Sequence, residues 1–294
     1  MDGAMACFGK VLEKDVDVAI DCFNKVLELH PNDALALCSL GLARRAKGQV
    51  DEAIDCFRKA INIDPNFALA HGALGETLLS KGRFAEAHDA LARAVSLLPA
   101  NHPLRGPAAK QVETCTQLLQ LEKRLPGVLS GEDRPDSPDQ ALTLAWLCRL
   151  RRLHVGATRL AAEAFADPQV APNLVQAHRY NAACSAALAA SGQGVDADKL
   201  DDKERARLRQ QALNWLRADL ALRAKQLETG KPADRAAFQQ AMRHWQRDSD
   251  VAGIRDAAAL AKLPAEERAA CEKLWADVAA LLKKAEAPAT EGKP

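Results

Sequence analysis

Two stretches of this chain lie in register at a spacing of 34 residues. Gly41, Gly48, Ala53, Ala60 and Pro65 fall 34 positions before Gly75, Gly82, Ala87, Ala94 and Pro99. Leu40 precedes Leu74 and Phe57 precedes Leu91 by the same interval. A sustained period of this length means a repeated supersecondary unit that cannot bury its apolar face alone and must stack on its neighbours. Each unit reads as two helices. Gly48 and Gly82 end the first helix, where a left-handed residue is needed. Asp51, Glu52 and Glu86 place acid in the first turn of the second helix, at the positive end of the helix dipole. Pro65 and Pro99 stop that second helix. Gly41 and Gly75 are small where a neighbouring helix must come close, with Ala53 and Ala87 opposite.

On these residues, 34–67 and 68–101 resemble two tetratricopeptide (TPR) repeats. The resemblance implies an all-α, right-handed α-solenoid of helix-turn-helix repeats. Ala19, Phe23 and Pro31 extend the register one unit earlier, giving a partial repeat over 1–33 with its second helix at 16–29. Its first helix, over 1–12, departs from the pattern, because Cys7 stands where Gly41 and Gly75 stand later. A degenerate terminal cap and the loss of a longer upstream region both account for that. The first-helix aromatic positions are also altered, to Leu37 and Arg44, then His71 and Leu78. Arg44 there predicts a partly exposed edge.

After Pro99 the period ends. A helical pattern over 108–124 is expected to cap the open face, completing a TPR region over 1–126. Residues 127–138, rich in Gly, Pro, Ser and Asp, are expected as a linker. A TPR-like helical domain follows over 139–285, with Ser137 and Pro138 as N-cap and first residue of its first helix. Helices are expected at about 153–166, 172–190, 203–228, 233–247 and 265–285, with a polar insert over 191–202. Residues 286–294 read as a disordered tail.

Composition narrows the function. With 40 basic and 39 acidic residues the formal charge is +1, so no global field draws in nucleic acid or anionic lipid. No apolar run approaches membrane-spanning length and no secretory leader pattern opens the chain. The eight cysteines are scattered without a C-x-x-C pair and mostly within apolar stripes. They read as small core side chains in a reducing, cytoplasmic setting. The histidines show no metal-ligand spacing, and His178 and Cys184 fall on opposite faces of one helix, so neither a metal site nor a Cys-His nucleophile is expected. The cluster Arg149, Arg151, Arg152 and Arg159 reads as a solvated helix end before it reads as a nucleic-acid contact. Core packing is the expectation for Trp146, Trp215, Trp245 and Trp275.

The strings Tyr180-Asn-Ala-Ala-Cys184, Asp198-Lys-Leu-Asp-Asp202, Trp215-Leu-Arg-Ala-Asp-Leu220, His244-Trp245 and Val251-Ala-Gly-Ile-Arg-Asp256 make residues 102–285 similar to the helical region trailing the TPR arrays of large bacterial serine/threonine protein kinases. That resemblance implies a kinase-associated scaffold. The Gly-rich phosphate loop, catalytic-loop aspartate and metal-binding D-F-G of a kinase are missing, so phosphoryl transfer is not expected.

TPR proteins line a concave groove with repeat positions 2, 5, 9 and 12 of each first helix. Mapped here, these are Leu35, Cys38, Leu42 and Arg45, then Leu69, Gly72, Glu76 and Leu79. The set is largely apolar and lacks the Lys, Asn and Arg of a carboxylate clamp. Two occupants follow: the chain's own amino-terminal segment or cap helix, or an amphipathic partner helix with apolar anchors at i, i+3 or i+4. The expected function is a non-catalytic protein–protein scaffold that needs no cofactor. The alternative is the detached regulatory tail of a serine/threonine kinase.

Overall fold

The computed structural model describes residues 15–168, 170, 177–228 and 231–286. Among them all regular structure is helical, as the period demands. Contacts divide the chain into two compact units, Met1–Arg124 and Leu125–Pro294.

In the first unit, α1 (Val16–Leu29), α2 (Ala34–Ala46), α3 (Val50–Ile63), α4 (Ala68–Ser80) and α5 (Phe84–Leu97) form successive helices. Asp33 caps α2 by accepting from Ala36 N at 2.9 Å. Its last turn closes with Gln49 N donating to Arg44 O, and α4 closes with Arg83 N donating to Leu78 O. In each, a glycine takes the left-handed step, Gly48 at φ +83° and Gly82 at φ +72°. The first and second helices touch at the other two glycines. A Cβ on Gly41 would stand 2.6 Å from Phe57 Cε1, and one on Gly75 2.5 Å from Leu91 Cγ. Phe57 and Leu91 are therefore fully buried, in a core shared with Leu37, Leu74 and Leu78.

A sixth helix, α6 (Arg105–Ser130), sends Cys115 into this core. Arg105 at its start donates to Val95 O and Leu98 O, satisfying carbonyls at the end of α5. The helix overruns the 108–124 expected for it. Pro126 lies inside it, and residues 127–130, expected as linker, are helical. Leu125 and Val128 are buried, so packing there outweighs the hydrogen bond proline removes. The turn begins only at Gly131, φ +86°.

The expected first helix over 1–12, with Cys7, lies outside the described residues, as do residues 287–294 of the expected tail. On α1, Ala19 is buried as the register requires, but Cys22 is exposed. This corrects the reading of that cysteine as a core side chain. Arg44 is half-buried, with its Nε enclosed and lacking a hydrogen-bond partner among the described residues.

In the second unit, α7 (Pro138–Leu150) starts from Ser137, whose side chain accepts from Gln140 N. It pairs with α8 (His154–Ala164) through the turn used twice before, with Leu153 N donating to Cys148 O. The left-handed step is here taken by Arg152, φ +57°. Next comes α9 (His178–Ala190), which closes with Gly192 at φ +74° and Gln193 N donating to Leu188 O. The 191–202 insert is ordered. Val195 N donates to Arg152 O, and the Asp196 carboxylate accepts from Val155 N and Gly156 N. Asp196 thus caps α8, which has no side-chain cap of its own. A capping box of Asp201 and Glu204 starts α10 (Asp202–Leu227), and α11 (Pro232–Trp245) follows. After α11 come a 3-10 turn, Ser249–Ile254, and then α12 (Ala257–Leu260). The last helix is α13 (Ala265–Glu286). Trp245, Met242, Leu216, Leu213 and Ile254 are among the fully buried side chains of the second unit. Trp146 is exposed, against the expectation of core packing for it.

Two substitutions test these assignments. Gly75→Ala forces Leu91 and its backbone to shift and should destabilise the chain by about 1–3 kcal/mol, read as a lower urea midpoint. Arg152→Gly relieves a left-handed residue whose side chain is exposed. It should raise the midpoint by on the order of 0.5–1 kcal/mol.

Candidate partner groove

The first helices α2 and α4 lie side by side, and their shared face forms one wall of a groove of about 190 Å³. Leu35, Cys38, Leu42 and Arg45 line it from α2, and Leu69, Gly72 and Glu76 from α4. Seven of the eight residues expected in a groove therefore meet in one. Leu79 does not; it packs against the buried core. The opposite wall was not legible. Leu91, Ala94 and Leu98 reach the groove from the end of the second repeat, and Leu104, Pro107, Ala108 and Gln111 from the beginning of α6. Pro107 precedes the 108–124 expected for this helix, but it stands in the first turn of α6, where its missing donor costs nothing. That rule applied at Pro107 would have started the helix early enough. The cap helix thus builds a wall of the groove and leaves it open.

Its surface is apolar apart from one end. Leu35 and Leu104 are 42% and 47% exposed at its rim, while Cys38 is buried within it. Arg45 is the cation of the groove, and its Nη1 lies 3.1 Å from Glu76 Oε2. That ion pair is half-exposed, worth at most about 1 kcal/mol, and it leaves no free cationic clamp for a carboxylate. Burial pushes the Cys38 thiol up to about 12, partly offset by Arg45. The thiol is neutral near pH 7.

The other candidate groups lie in the second unit. Arg149 and Arg159 are not a solvated helix end. Arg149 donates to Asn181 O at 2.6 Å and faces Asp250, while Arg159 donates to Val128 O and Leu129 O. Both guanidiniums satisfy main-chain carbonyls. His178 and Cys184 do not meet. The Cys184 sulfur instead lies 4.0 Å from Asp248 Oδ2, which also accepts the Tyr180 hydroxyl at 2.7 Å and lies 3.3 Å from His244 Nε2. Tyr180 stacks on Trp245 with centroids 5.0 Å apart, and Arg255 donates to the carbonyls of Trp245 and Asp248. The strings 180–184, 244–245 and 251–256 thus converge on Asp248, a meeting that spacing alone did not reveal.

Cys184, Asp248 and Asp250 present their ligand atoms within 4.8 Å of one another. Their chemistry does not favour a cation. Burial, then Asp248, pushes the Cys184 thiol up to about 12. Asp248 already accepts from Tyr180 and from Asp250 N, and Asp250 faces the Arg149 guanidinium. The cluster ties the 3-10 turn to α9.

A family model described as a TPR repeat matches residues 41–82, and a second, a tetratricopeptide repeat, matches residues 22–55. Neither reaches residues 102–285, where the kinase-associated resemblance rests on the sequence strings alone. No curated protein matches the chain. Among solved structures, the chain is similar to the Yersinia enterocolitica type III secretion translocator chaperone SycD, at 26% identity over 40% of this chain and 82% of that one, TM-score 0.36. It is also similar to YrrB, a TPR protein with an unusual peptide-binding site, at 19% identity over 69% and 93%, TM-score 0.32. The P58(IPK) TPR domain shares 14% identity over 99% and 74%, TM-score 0.44. Residues 22–82 therefore carry TPR repeats. At these TM-scores the structural likenesses support no inference about binding.

Thiol chemistry checks the burial assigned here. At pH 8, peptide mapping of thiol labelling should find exposed Cys22 modified at least tenfold faster than Cys38, Cys148 or Cys184. The same groups predict an alkaline weakness. Their thiols are raised from the ordinary 9.0 to about 12 in the fold. Their contribution is therefore whole below pH 9 and is lost as the unfolded chain releases protons that the fold retains. The urea midpoint should fall as pH rises from 9 toward 12.

Proposed function

We propose that this chain is a non-catalytic interaction scaffold that holds a helical segment of a protein partner in the α2–α4 groove. TPR repeats are interaction units, and the observation that carries the reading is the convergence of Leu35, Leu42, Leu69 and Leu104 on one apolar groove. At about 190 Å³ it falls below the roughly 300–1,000 Å³ typical of small-molecule pockets. It takes anchor side chains from a longer ligand. A helix presents such anchors at i, i+3 or i+4 on one face without unsatisfied backbone groups, which suits walls this apolar. Neither nucleic acid nor membrane is the partner in this reading. The charge is balanced, and among the described residues no helix is long and apolar enough to cross a membrane. The unpaired thiols of Cys38, Cys56, Cys115, Cys148, Cys184 and Cys271 support a reducing, cytoplasmic setting.

A second reading, the regulatory tail of a serine/threonine kinase, draws support from three of the five kinase-associated strings meeting around Asp248. Absence of a kinase reading frame beside the coding sequence would leave it without support.

The double substitution Leu42→Glu and Leu69→Glu places charge in the groove at two side chains that are only partly buried, Leu42 also touching the edge of the core. Partner capture in a pull-down should fall at least tenfold with an unchanged circular dichroism spectrum. Undiminished capture would move the binding site elsewhere.

A further inference from the structure

Residues 191–202 cross the start of α8, and three hydrogen bonds fasten the seam between them. Val195 N donates to Arg152 O, and the Asp196 carboxylate accepts from Val155 N at 3.2 Å and from Gly156 N at 2.9 Å. Beside those bonds the segment passes close against His154. A Cβ on Gly194 would stand 2.8 Å from His154 Cδ2, so only glycine, here at φ +111°, lets it come this near. The far end of the segment is held separately, by Arg205 of α10 donating to Leu200 O and Ala197 O.

Under this seam a polar atom is left unmet. His154 is 8% exposed, and its Nδ1 is enclosed with no hydrogen-bond partner among the described residues. A neutral ring meets the site with its proton on Nε2 and a bare acceptor at Nδ1. An imidazolium would bury a charged N–H with nothing to receive it. It would also stand in the first turn of α8, at the positive end of the helix dipole. Neighbouring charges do not offset that cost. Asp196 from the segment and Asp250 from the 3-10 turn favour the cation, while Arg149 at the end of α7 and Arg152 in the turn oppose it. Two carboxylates against two guanidiniums leave burial to decide, and burial holds the His154 ring below the ordinary 6.5.

Both Asp196 oxygens already accept from the α8 backbone, so they can turn to Nδ1 only by giving up the cap. We propose that this seam is an acid-released clasp, in which protonation of His154 lifts the segment around Gly194 from the start of α8 and uncaps that helix. The opened clasp takes up the proton more readily than the closed one. The clasp is therefore whole above pH 6.5 and weakens as pH falls below it, before carboxylates of ordinary pKa, about 4, titrate. Arg205 keeps the far end on α10, so the opening is local.

The test is amide hydrogen exchange on the full chain at pH 7.5 and 5.5, corrected for the intrinsic rate at each pH. Protection of the Val155, Gly156 and Val195 amides should fall roughly three- to tenfold at pH 5.5, the span that one histidine titrating below 6.5 allows. Protection at Phe57 and Leu91 in the first unit should change less than about twofold. His154→Phe removes the titrating group and should hold the three amides within about twofold across the same range. His154→Gln, neutral and polar, serves should phenylalanine disturb folding. Burial also holds His178 below its ordinary value, so His178→Gln is the control and should keep the full response. No loss of protection in the wild type would overturn the clasp. So would a loss that persists in both His154 variants, one that His178→Gln abolishes, or one shared equally by the first unit.

Discussion

The close approach in the first unit, between the backbone of one helix and a ring or isobutyl group of the next, is the condition for everything built on it. Phe57 can be fully buried only because Gly41 has no Cβ, and Leu91 only because Gly75 has none. Widening either hairpin would open voids on both sides, since Leu37, Leu74 and Leu78 share that core. The ion pairs that bridge successive repeats, such as Arg58–Glu86 and Lys81–Asp51, are solvent-exposed and cannot substitute for that packing.

Packing the helices at this distance also creates the groove. Setting α2 and α4 side by side leaves their outward residues facing a common space, and the start of α6 closes its far side. The same helix sends Cys115 into the core, so capping the repeats and walling the groove are one event. What recommends the groove as a docking surface is a mismatch. Leu35 and Leu104 are exposed at its rim beside the buried Leu91 and Leu98, and its single cation is already paired.

The second unit reaches the same hairpin turn with different residues. Arg152 occupies the left-handed position that Gly48 and Gly82 hold in the first, and Asp196 supplies from a distance the cap that α8 lacks. Asp248 then gathers Tyr180, Cys184 and His244 from two helices onto one carboxylate. Even a part-buried carboxylate is held best when its acceptors are filled, and here those bonds tie the 3-10 turn to α9. Chemistry-bearing residue types at this cluster, and at Arg149 and Arg159, serve the fold.

The sequence alone determined the helical class, the hairpin period, the turn glycines, the Ser137 cap and seven of the groove residues. All of these are local or periodic: each depends on neighbours within one turn or on a copy of itself 34 residues away. Tertiary structure decided the rest. That α6 begins at Arg105 and persists through Pro126 depends on what Leu125 and Val128 are buried against, and a propensity rule cannot see that. Capping of α8 by Asp196 joins positions 40 residues apart without a repeat to announce it. The bond between Tyr180 and Asp248 spans 68. Gly72 shows the division most plainly. In the sequence it is one more small residue beside Gly75. Only the ordinary 3.9 Å contact that a Cβ there would make, against 2.5 Å at Gly75, separates a glycine the packing requires from one it does not.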